Sequence, residues 1–511
     1  MTAYLRPGVY IQETLNPVQP TVGANSDSVA AFVGATDRGP LTPTLVTSWS
    51  QYAALYGTWN SVASNDLPLA VYSYFSNASA PAYILRVAGT GAAVATRTFN
   101  DRAGSPLSTL IVNSVNVGTW GNNINISITD SVYGVTTSAP TPNYFNMEVY
   151  YGGIEASNLV ETWTDITMDP TDARYVLTVI NSGSKYVSVE LPSPASTSSQ
   201  PTNNPATTSH QALSSSSDGS TVDFTAINAA LPGFDFVKQS LIMNVAGQTD
   251  ASVVNETISY AVSRGDIFVV VDGVNDTPGA QLTASESYTA TSQAAVYYPR
   301  ITISDPTKGL GSSREATLTI GAGGAVVGLY AATDASRGVF KAPAGLSTRI
   351  SGAVSVAQLS NSQLDALNSD QAPVNAIRYI PGAGIVVMGS RTLKTGYVDR
   401  YVPVRRTLIY LEKALKDLTE FALFEPNDAR LWRLINSTIT GFLTNFWSQG
   451  GLSGGNPSQA FFVKVDSDIN QQSSIDNGEL HIEVGVSLQR PAEFVIIKIG
   501  QFNGTTTVTV A

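Results

Sequence analysis

Two histidines, His210 and His481, and no cysteine restrict what this chain of 511 residues can do by acid–base or nucleophilic chemistry. Hydrolysis by a Ser-His-Asp set needs an imidazole beside the serine as general base. One stretch imitates that set. Gly451-Leu452-Ser453-Gly454-Gly455 fits the nucleophile-elbow pattern, and Asp466 and His481 follow it in hydrolase order. An elbow runs from a strand into a helix, so that a strained turn holds the serine. Here the residue spacing predicts a helix before Ser453 and a strand over 461–465 after it, which reverses the order and favours a plain loop. His210 lies in a Ser/Thr-rich stretch and His481 in the strand-like segment 479–483, neither with the Gly-rich surroundings of a protease. There is no Gly-Lys-Ser/Thr of a P-loop and no His-Glu-x-x-His. The lack of cysteine excludes disulfides and thiolate metal sites. No catalytic, cofactor-binding or metal residue is assigned, and a serine hydrolase using Ser453 and His481 stands as the distant alternative.

Composition points away from chemistry and towards assembly. The net charge is -11, and Arg405-Arg406 is the only adjacent basic pair, so the clustered cations that nucleic acid or an anionic membrane would demand are missing. Charged residues make up 13% of the chain, against about 25% in ordinary soluble domains. A surface this poor in charge suits a protein largely covered by neighbours. Residues 1–7 contain no apolar core of a secretion signal. Residues 316–333 approach spanning length without a proline, but Gly321, Gly323, Gly324 and Gly328 interrupt them, so they read as buried strand and turn.

The elements follow from periodicity. Residues 28–34 and 82–87 read as buried strands, and 48–56 and 69–75 as helices. Residues 109–112, 124–128, 144–151 and 174–180 read as strands of a β-rich region between Gly, Asn and Pro clusters. Residues 192–220, rich in Ser, Thr, Pro and Asn, read as an exposed excursion that cannot bury enough surface to hold a fold. An α/β pattern returns with a helix over 253–264 and the apolar strand 267–272. Two long helices over 403–425 and 428–447 follow, the second stopped by Gly450-Gly451.

Both ends are strand-like with no local partner. Val9, Tyr10, Ile11 and Gln12 are followed by the breakers Asn16, Pro17 and Pro20. Phe494, Val495, Ile496, Ile497 and Ile499 precede Asn503-Gly504 and a Thr/Val alternation. The pattern leaves two readings: each end completes a sheet in its own domain, or each adds to the sheet edge of another copy.

Short motifs are spaced along nearly the whole chain. They are Pro7-Gly8-Val9-Tyr10, Phe32-Val33-Gly34 with Arg38-Gly39-Pro40, Tyr83-Ile84-Leu85-Arg86-Val87 and Gly118-Thr119-Trp120-Gly121-Asn122-Asn123. Further on are Tyr297-Tyr298-Pro299, the stretch 334–344 around Arg337-Gly338-Val339-Phe340, Asn375-Ala376-Ile377-Arg378 and Gly389-Ser390-Arg391-Thr392-Leu393. The last are Phe424-Glu425-Pro426-Asn427 and Ala460-Phe461-Phe462-Val463-Lys464. Their order and spacing make the combination specific, and it resembles that of the tail sheath proteins of contractile bacteriophages. Phe340 stands where the family often has Trp, and 192–220 aligns with none of these motifs.

The resemblance implies a virion protein, assembled in the bacterial host cytoplasm, that forms a helical sleeve around an inner tail tube. The sleeve would contract from a metastable state and drive the tube through the host envelope, with arms added to neighbouring copies. The implied partners are other sheath subunits, the tube protein, and baseplate and tail terminator proteins, without cofactor, direct nucleic-acid binding or membrane insertion. The sheath of a phage-derived bacteriocin or contractile injection system is the nearer alternative. The expected fold is multidomain α/β plus β: an arm (1–27), the first part of an inner domain (28–95), a β-rich protruding domain (96–221), a central α/β domain with subtilisin-like resemblance (222–345), the inner C-terminal α/β domain facing the tube (346–492) and a strand arm (493–511). Both long helices are expected to face the tube, and Arg405, Arg406, Lys413, Lys416 and Glu420, all on the first of them (403–425), are the expected tube-docking charges.

Overall fold

The computed structural model describes residues 28–59, 64–133, 135, 143–308, 316–369, 372–396 and 399–493. The terminal strands predicted at Val9, Tyr10, Ile11 and Gln12 and at Phe494, Val495, Ile496, Ile497 and Ile499 lie outside the described residues. The chain divides into two compact units. One comprises 28–332 and 343–400, the other 333–342 and the residues from 401 on.

In chain order the larger unit opens with β1 (Val29–Gly34), β2 (Thr44–Val46), α1 (Trp49–Tyr56), α2 (Asp66–Asn77) and β3 (Ala82–Arg86). A β-rich region follows: β4 (Thr96–Asn100), β5 (Ser108–Ser114), β6 (Ile124–Asp130), β7 (Phe145–Tyr151), β8 (Leu159–Ile166), α3 (Val176–Gly183), β9 (Val187–Glu190) and β10 (Thr208–Ala212). The chain returns through α4 (Phe224–Ala230), β11 (Leu241–Val245), α5 (Ala251–Arg264), β12 (Ile267–Asp272), α6 (Pro278–Glu286) and β13 (Ala294–Tyr298). Then come β14 (Ile301–Ser304), β15 (Thr317–Ile320), α7 (Gly323–Arg337), β16 (Ala353–Val356), α8 (Asn361–Leu367), β17 (Val374–Ile380) and β18 (Gly384–Val387). The C-terminal unit holds α9 (Val402–Thr419), α10 (Ala429–Ser448), α11 (Pro457–Ala460), β19 (Phe461–Lys464), α12 (Gln472–Asp476) and β20 (Glu483–Val486).

The frame of the larger unit is an eight-stranded sheet in the order β18-β17-β13-β12-β11-β1-β3-β2. Its inner strands run parallel, and only the edge strands β2 and β18 are antiparallel. Strands β11, β12 and β13 are buried along their whole length, as a parallel sheet covered on both faces requires. On one face Ala31, Val33, Met243, Val269 and Val296 share a core with Val254, Ile258 and Ala261 of α5. Local chemistry fixes the helices around it. Asp250 caps α5 by accepting the Ser252 N–H at 2.8 Å, and Gly265, at φ 86°, ends it.

This sheet corrects the expected division of the chain. The first α/β segment (28–95) shares one sheet with β11, β12 and β13 of the expected central domain as well as with β17 and β18 of the expected C-terminal one, so the discontinuous α/β domain takes in the central segment and only part of 346–492. The expected break at 345/346 falls inside this unit, and the C-terminal unit begins at 401. Pairing between β1 and β11 spans about two hundred residues of chain, and no local pattern carries it. Residues 174–180 form α3 rather than a strand: Val176 and Ile180, four apart, are its buried residues. Residues 316–333 hold a short strand and most of a helix rather than strand and turn. Glycine permits that helix, because a Cβ at Gly324 would lie 2.1 Å from the Ala70 carbonyl of α2.

The β-rich region contains a four-stranded sheet, β10-β6-β7-β8, and a three-stranded one, β4-β5-β9. Trp120, Ile124, Ile126, Phe145, Met147, Val149 and Ile180 share its core. Residues 192–220 are part of it, which overturns the expected excursion. β10 pairs with β6, and Leu213 is buried. Polar bonds do what apolar burial could not. The Asp101 carboxylate, 2% exposed, accepts the hydroxyls of Ser196 (2.5 Å) and Ser198 (2.9 Å) and the N–H groups of Ala103 (3.2 Å) and Leu107 (3.0 Å). The Thr109 hydroxyl donates to the Asn203 carbonyl at 2.6 Å.

Burial raises the Asp101 carboxyl, but the bonds from Ser196, Leu107, Ser198 and Ala103 outweigh it and hold the pKa at about 2. Its stabilising contribution is therefore complete above the ordinary carboxylate range near 4 and is lost as pH falls towards 2. Replacing Asp101 by Ala should cost about 1.5–3 kcal/mol and expose residues 192–207 to limited proteolysis. A melting curve and cleavage map indistinguishable from the parent's would refute this anchoring.

Candidate functional site

In the C-terminal unit two long helices and a two-stranded sheet enclose one core. Apolar residues on α9 and α10 recur at helical spacing, and Tyr410, Leu411, Leu431, Ile435, Ile439, Leu443 and Phe446 pack with Val339, Leu452, Ala460 and Val465. Asp428 caps α10 through the N–H groups of Arg430 and Leu431, at 2.8 and 2.9 Å. Inserted into this core is the turn after α7. Gly338, at φ 93°, donates its N–H to Asp334, and Lys341 donates back to Gly338. Phe340 thereby sits edge-to-face on Phe446 with ring centroids 6.0 Å apart.

Of the expected docking charges, the structure removes Arg406. Its guanidinium, 2% exposed, forms a two-pronged bond to the Asp334 carboxylate at 2.9 and 2.5 Å. A buried, fully engaged cation cannot dock on a partner. The helical phase carries the signal that separates it from Arg405: Arg406 falls on the face of Val402, Ile409 and Tyr410, all buried. Arg405 approaches Glu412 at 3.5 Å with 16% of its side chain exposed, and Lys413 pairs with Asp417 at 2.6 Å. Lys416 and Glu420 are exposed. A feature that charge patterning misses is the turn joining α9 to α10, where Leu423 is 68% exposed and Phe424 fully so, the latter at φ 66°.

Strands β19 and β20 pair antiparallel, Phe462 with Gly485 and Lys464 with Glu483. The Ser487 N–H donates to the Ala460 carbonyl, which sets the parity: Glu483 and Gly485 direct their backbone groups at β19, while Val484 and Val486 direct theirs outward. On the outer side of β19 the Asn436 amide of α10 already bonds the Val463 carbonyl at 3.1 Å. Among the described residues nothing pairs with the outer edge of β20. The chain beyond β20 is held at Gln489, whose amide bonds the Leu452 carbonyl at 3.1 Å, and at Glu493, which accepts the Tyr401 hydroxyl at 3.0 Å.

The hydrolase-like motif does not converge. Ser453 lies in the loop after α10 and before β19, its N–H donated to Ser487. The His481 ring faces Glu479 at 3.4 Å with half its surface exposed, and Asp466 accepts the Asp468 N–H. Among the described residues no hydrogen bond links the three. His210 stands in β10 at φ 35°, its ring edge-on to Tyr150. No group of three or more His, Cys, Asp or Glu suited to a metal occurs among the described residues, nor any helix long and apolar enough to cross a membrane.

Comparison with known proteins bears on this geometry. Residues 400–502 match the family model of the phage tail sheath C-terminal domain. No curated protein matches the chain. Among solved structures, the sheath of an extracellular contractile injection system, PVC, in the contracted state is 22% identical, with 98% of this chain and 99% of that one covered and a TM-score of 0.59. The contracted helical sheath of the anti-feeding prophage is also 22% identical, covering 97% and 99%, with a TM-score of 0.57. The sheath tail protein of Listeria innocua reaches a TM-score of 0.61 at 14% identity over 92% and 96%.

Breaking the buried pair should unfold the C-terminal unit before it affects any surface property. Arg406→Ala or Asp334→Ala is expected to cost about 3–5 kcal/mol, and Arg406→Met with Asp334→Leu to recover most of it. Denaturant titration of the three variants measures this, and single variants as stable as the parent would refute it. With the motifs, the match at residues 400–502 and the likeness over nearly the whole length in hand, the chain carries the C-terminal domain of the phage tail sheath family on the fold of contractile sheath proteins.

Proposed function

We propose that the chain is the structural subunit of a contractile tail sheath. It polymerises helically around an inner tube and contracts from a metastable extended state, driving the tube through the host envelope for genome delivery. The observation that carries this reading is the outer edge of β20, open among the described residues, within the unit that matches the sheath C-terminal domain. An open edge is a template for a further strand. The strand-like segments around Val9–Gln12 and Phe494–Ile499 of neighbouring copies supply it, and β19 is the less available side because Asn436 occupies its carbonyl. Gln489 and Glu493 confine the pivot of the C-terminal arm to the residues between them. Energy stored per subunit need only be small, since the array multiplies it.

The tube-facing surface is assigned to α9 and α10, with Arg405, Lys413, Lys416 and Glu420 as its charges and Leu423 and Phe424 as its apolar contact. Baseplate and terminator proteins complete the assembly at its two ends, and host cytoplasm is where it is built. No catalytic step is part of this role. Sheaths of injection systems, which share the fold over almost the full length, are the second reading, with the same mechanics and no genome to deliver.

Three variants test the reading. Val484→Pro removes an outward N–H without touching the ladder to β19, so the protein should stay folded and lose its tubes and rings in negative-stain electron microscopy, as should deletion of residues 1–14. Normal polymers from both would refute strand exchange. Reversing Lys413 and Lys416 to Glu should leave polymers intact and abolish recruitment of the co-expressed tube protein. Undiminished recruitment would exclude these helices as the docking face.

A further inference from the structure

Three of the sequence motifs, Arg38-Gly39-Pro40, Arg86 in its strand and Gly118-Thr119-Trp120, meet at one place: the neck where the chain leaves the eight-stranded sheet for the β-rich region and comes back. Residues 88–93 lead out and 217–222 lead in, and the two segments are laced together. Ala93 and Ser217 exchange N–H bonds in both directions at 2.9 and 3.1 Å, Gly89 donates to Asp218 and Ser220 donates to Thr90. The lacing is too close for side chains, because a Cβ on Gly89 would lie 1.7 Å from the Ser220 carbonyl oxygen.

Side chains then bolt the neck to both bodies. The Arg86 guanidinium, 2% exposed, donates to the carbonyls of Thr36 (2.9 Å), Gly39 (3.0 Å) and Asp37 (3.1 Å) on the sheet side and of Val117 (2.9 Å) on the β-rich side. Asp218 accepts the Thr119 N–H at 2.8 Å and its hydroxyl at 2.6 Å. Gly118 lets the three groups meet, since a Cβ there would lie 2.8 Å from the Asp37 carbonyl oxygen and 2.9 Å from Asp218 Oδ1. From the sheet side Arg38 lies over the rings of Tyr151 and Tyr186, 5.3 and 5.5 Å from their centroids.

We propose that this neck is a splint: the β-rich region is locked to the α/β sheet as one rigid body, and shape change in the subunit is excluded from residues 88–93 and 217–222. A two-segment linker without such bolts would be a natural hinge. Here the Arg86 bond to the Val117 carbonyl and the Asp218 bonds to Thr119 would have to break, leaving buried polar groups unpaired, before the two bodies could turn. The splint is a property of the single chain. Only its use, keeping the β-rich region fixed while the sheath shortens, rests on the function proposed above.

Because the chain has no cysteine, two introduced ones are the only labelling sites. Thr178→Cys on α3 and Ser263→Cys on α5 are both exposed positions, one in each body. Double electron–electron resonance between spin labels there, in full-length chain diluted with unlabelled protein, should give one narrow distance distribution. Adding Asp218→Ala and Arg38→Ala, which spare the buried core, should roughly double its width while the melting temperature stays near the parent's; Arg86→Met should broaden it further if the variant folds. A distribution already broad in the parent, or unchanged in the folded double variant, would overturn the splint. In assembled sheath the same narrow distance is expected before and after contraction. A distance that shifts only on contraction would refute the mechanical role while leaving the splint of the free chain intact, and a chain that never assembles refutes the proposed function without touching the first result.

Discussion

Backbone N–H and C=O groups taken out of water must find partners, and in a chain where only 13% of residues are charged a few polar side chains meet that demand where regular structure stops. Gln293, buried behind the sheet, donates to the carbonyls of Ala261, Gly265 and Ile267. Asn375 bonds the Val296 and Arg391 carbonyls and accepts the Arg391 N–H. At the end of β12, Asp272 accepts the N–H groups of Gly323 and Gly247. Its burial raises the carboxyl pKa and those N–H groups pull it back. Arg86 and Asp101 act in the same way at the neck and in the β-rich region. Each closes a loop that hydrophobic packing alone would leave open.

The same demand, left unmet at one edge, underlies the assembly proposed above. A two-stranded sheet is marginal alone, and β19 and β20 persist because one side rests on α10 and the shared core. The outward groups of Val484 and Val486 have water as their alternative partner until another strand arrives. Stability of the unit and the proposed polymerisation therefore fall to different residues: the first to the Arg406–Asp334 pair and the aromatic packing of Phe340, Tyr410 and Phe446, the second to an edge that contributes little to the fold.

How legible this was differs by element, for physical reasons. Helices with caps and strong periodicity could be read directly: the limits of α5 follow from Asp250 and Gly265, and those of α10 from Asp428 and the glycines after it. Short apolar runs were ambiguous, and α3 was misread as a strand because Val176, Leu177, Val179 and Ile180 suit either period. Residues 192–220 were misread because low apolar content was equated with lack of structure, whereas Asp101, Ser196 and Ser198 hold that segment by charge-assisted bonds. The docking charges were read by residue type, and type does not distinguish Arg405 on a helix flank from Arg406 on the buried face.

The sequence by itself determined the scarcity of histidine and cysteine, the helices with their caps, and the motif order that resembles sheath proteins. These are properties of residue type and near spacing, which act within a few residues along the chain. Tertiary structure alone decided that residues 29–86 share a sheet with 241–387, that Arg406 is spent on Asp334, that β20 rather than β19 carries the edge left open among the described residues, and that three distant motifs converge on one neck. Each of these depends on groups far apart in sequence competing for the same backbone or carboxylate partner, and that competition is settled only when the chain is folded.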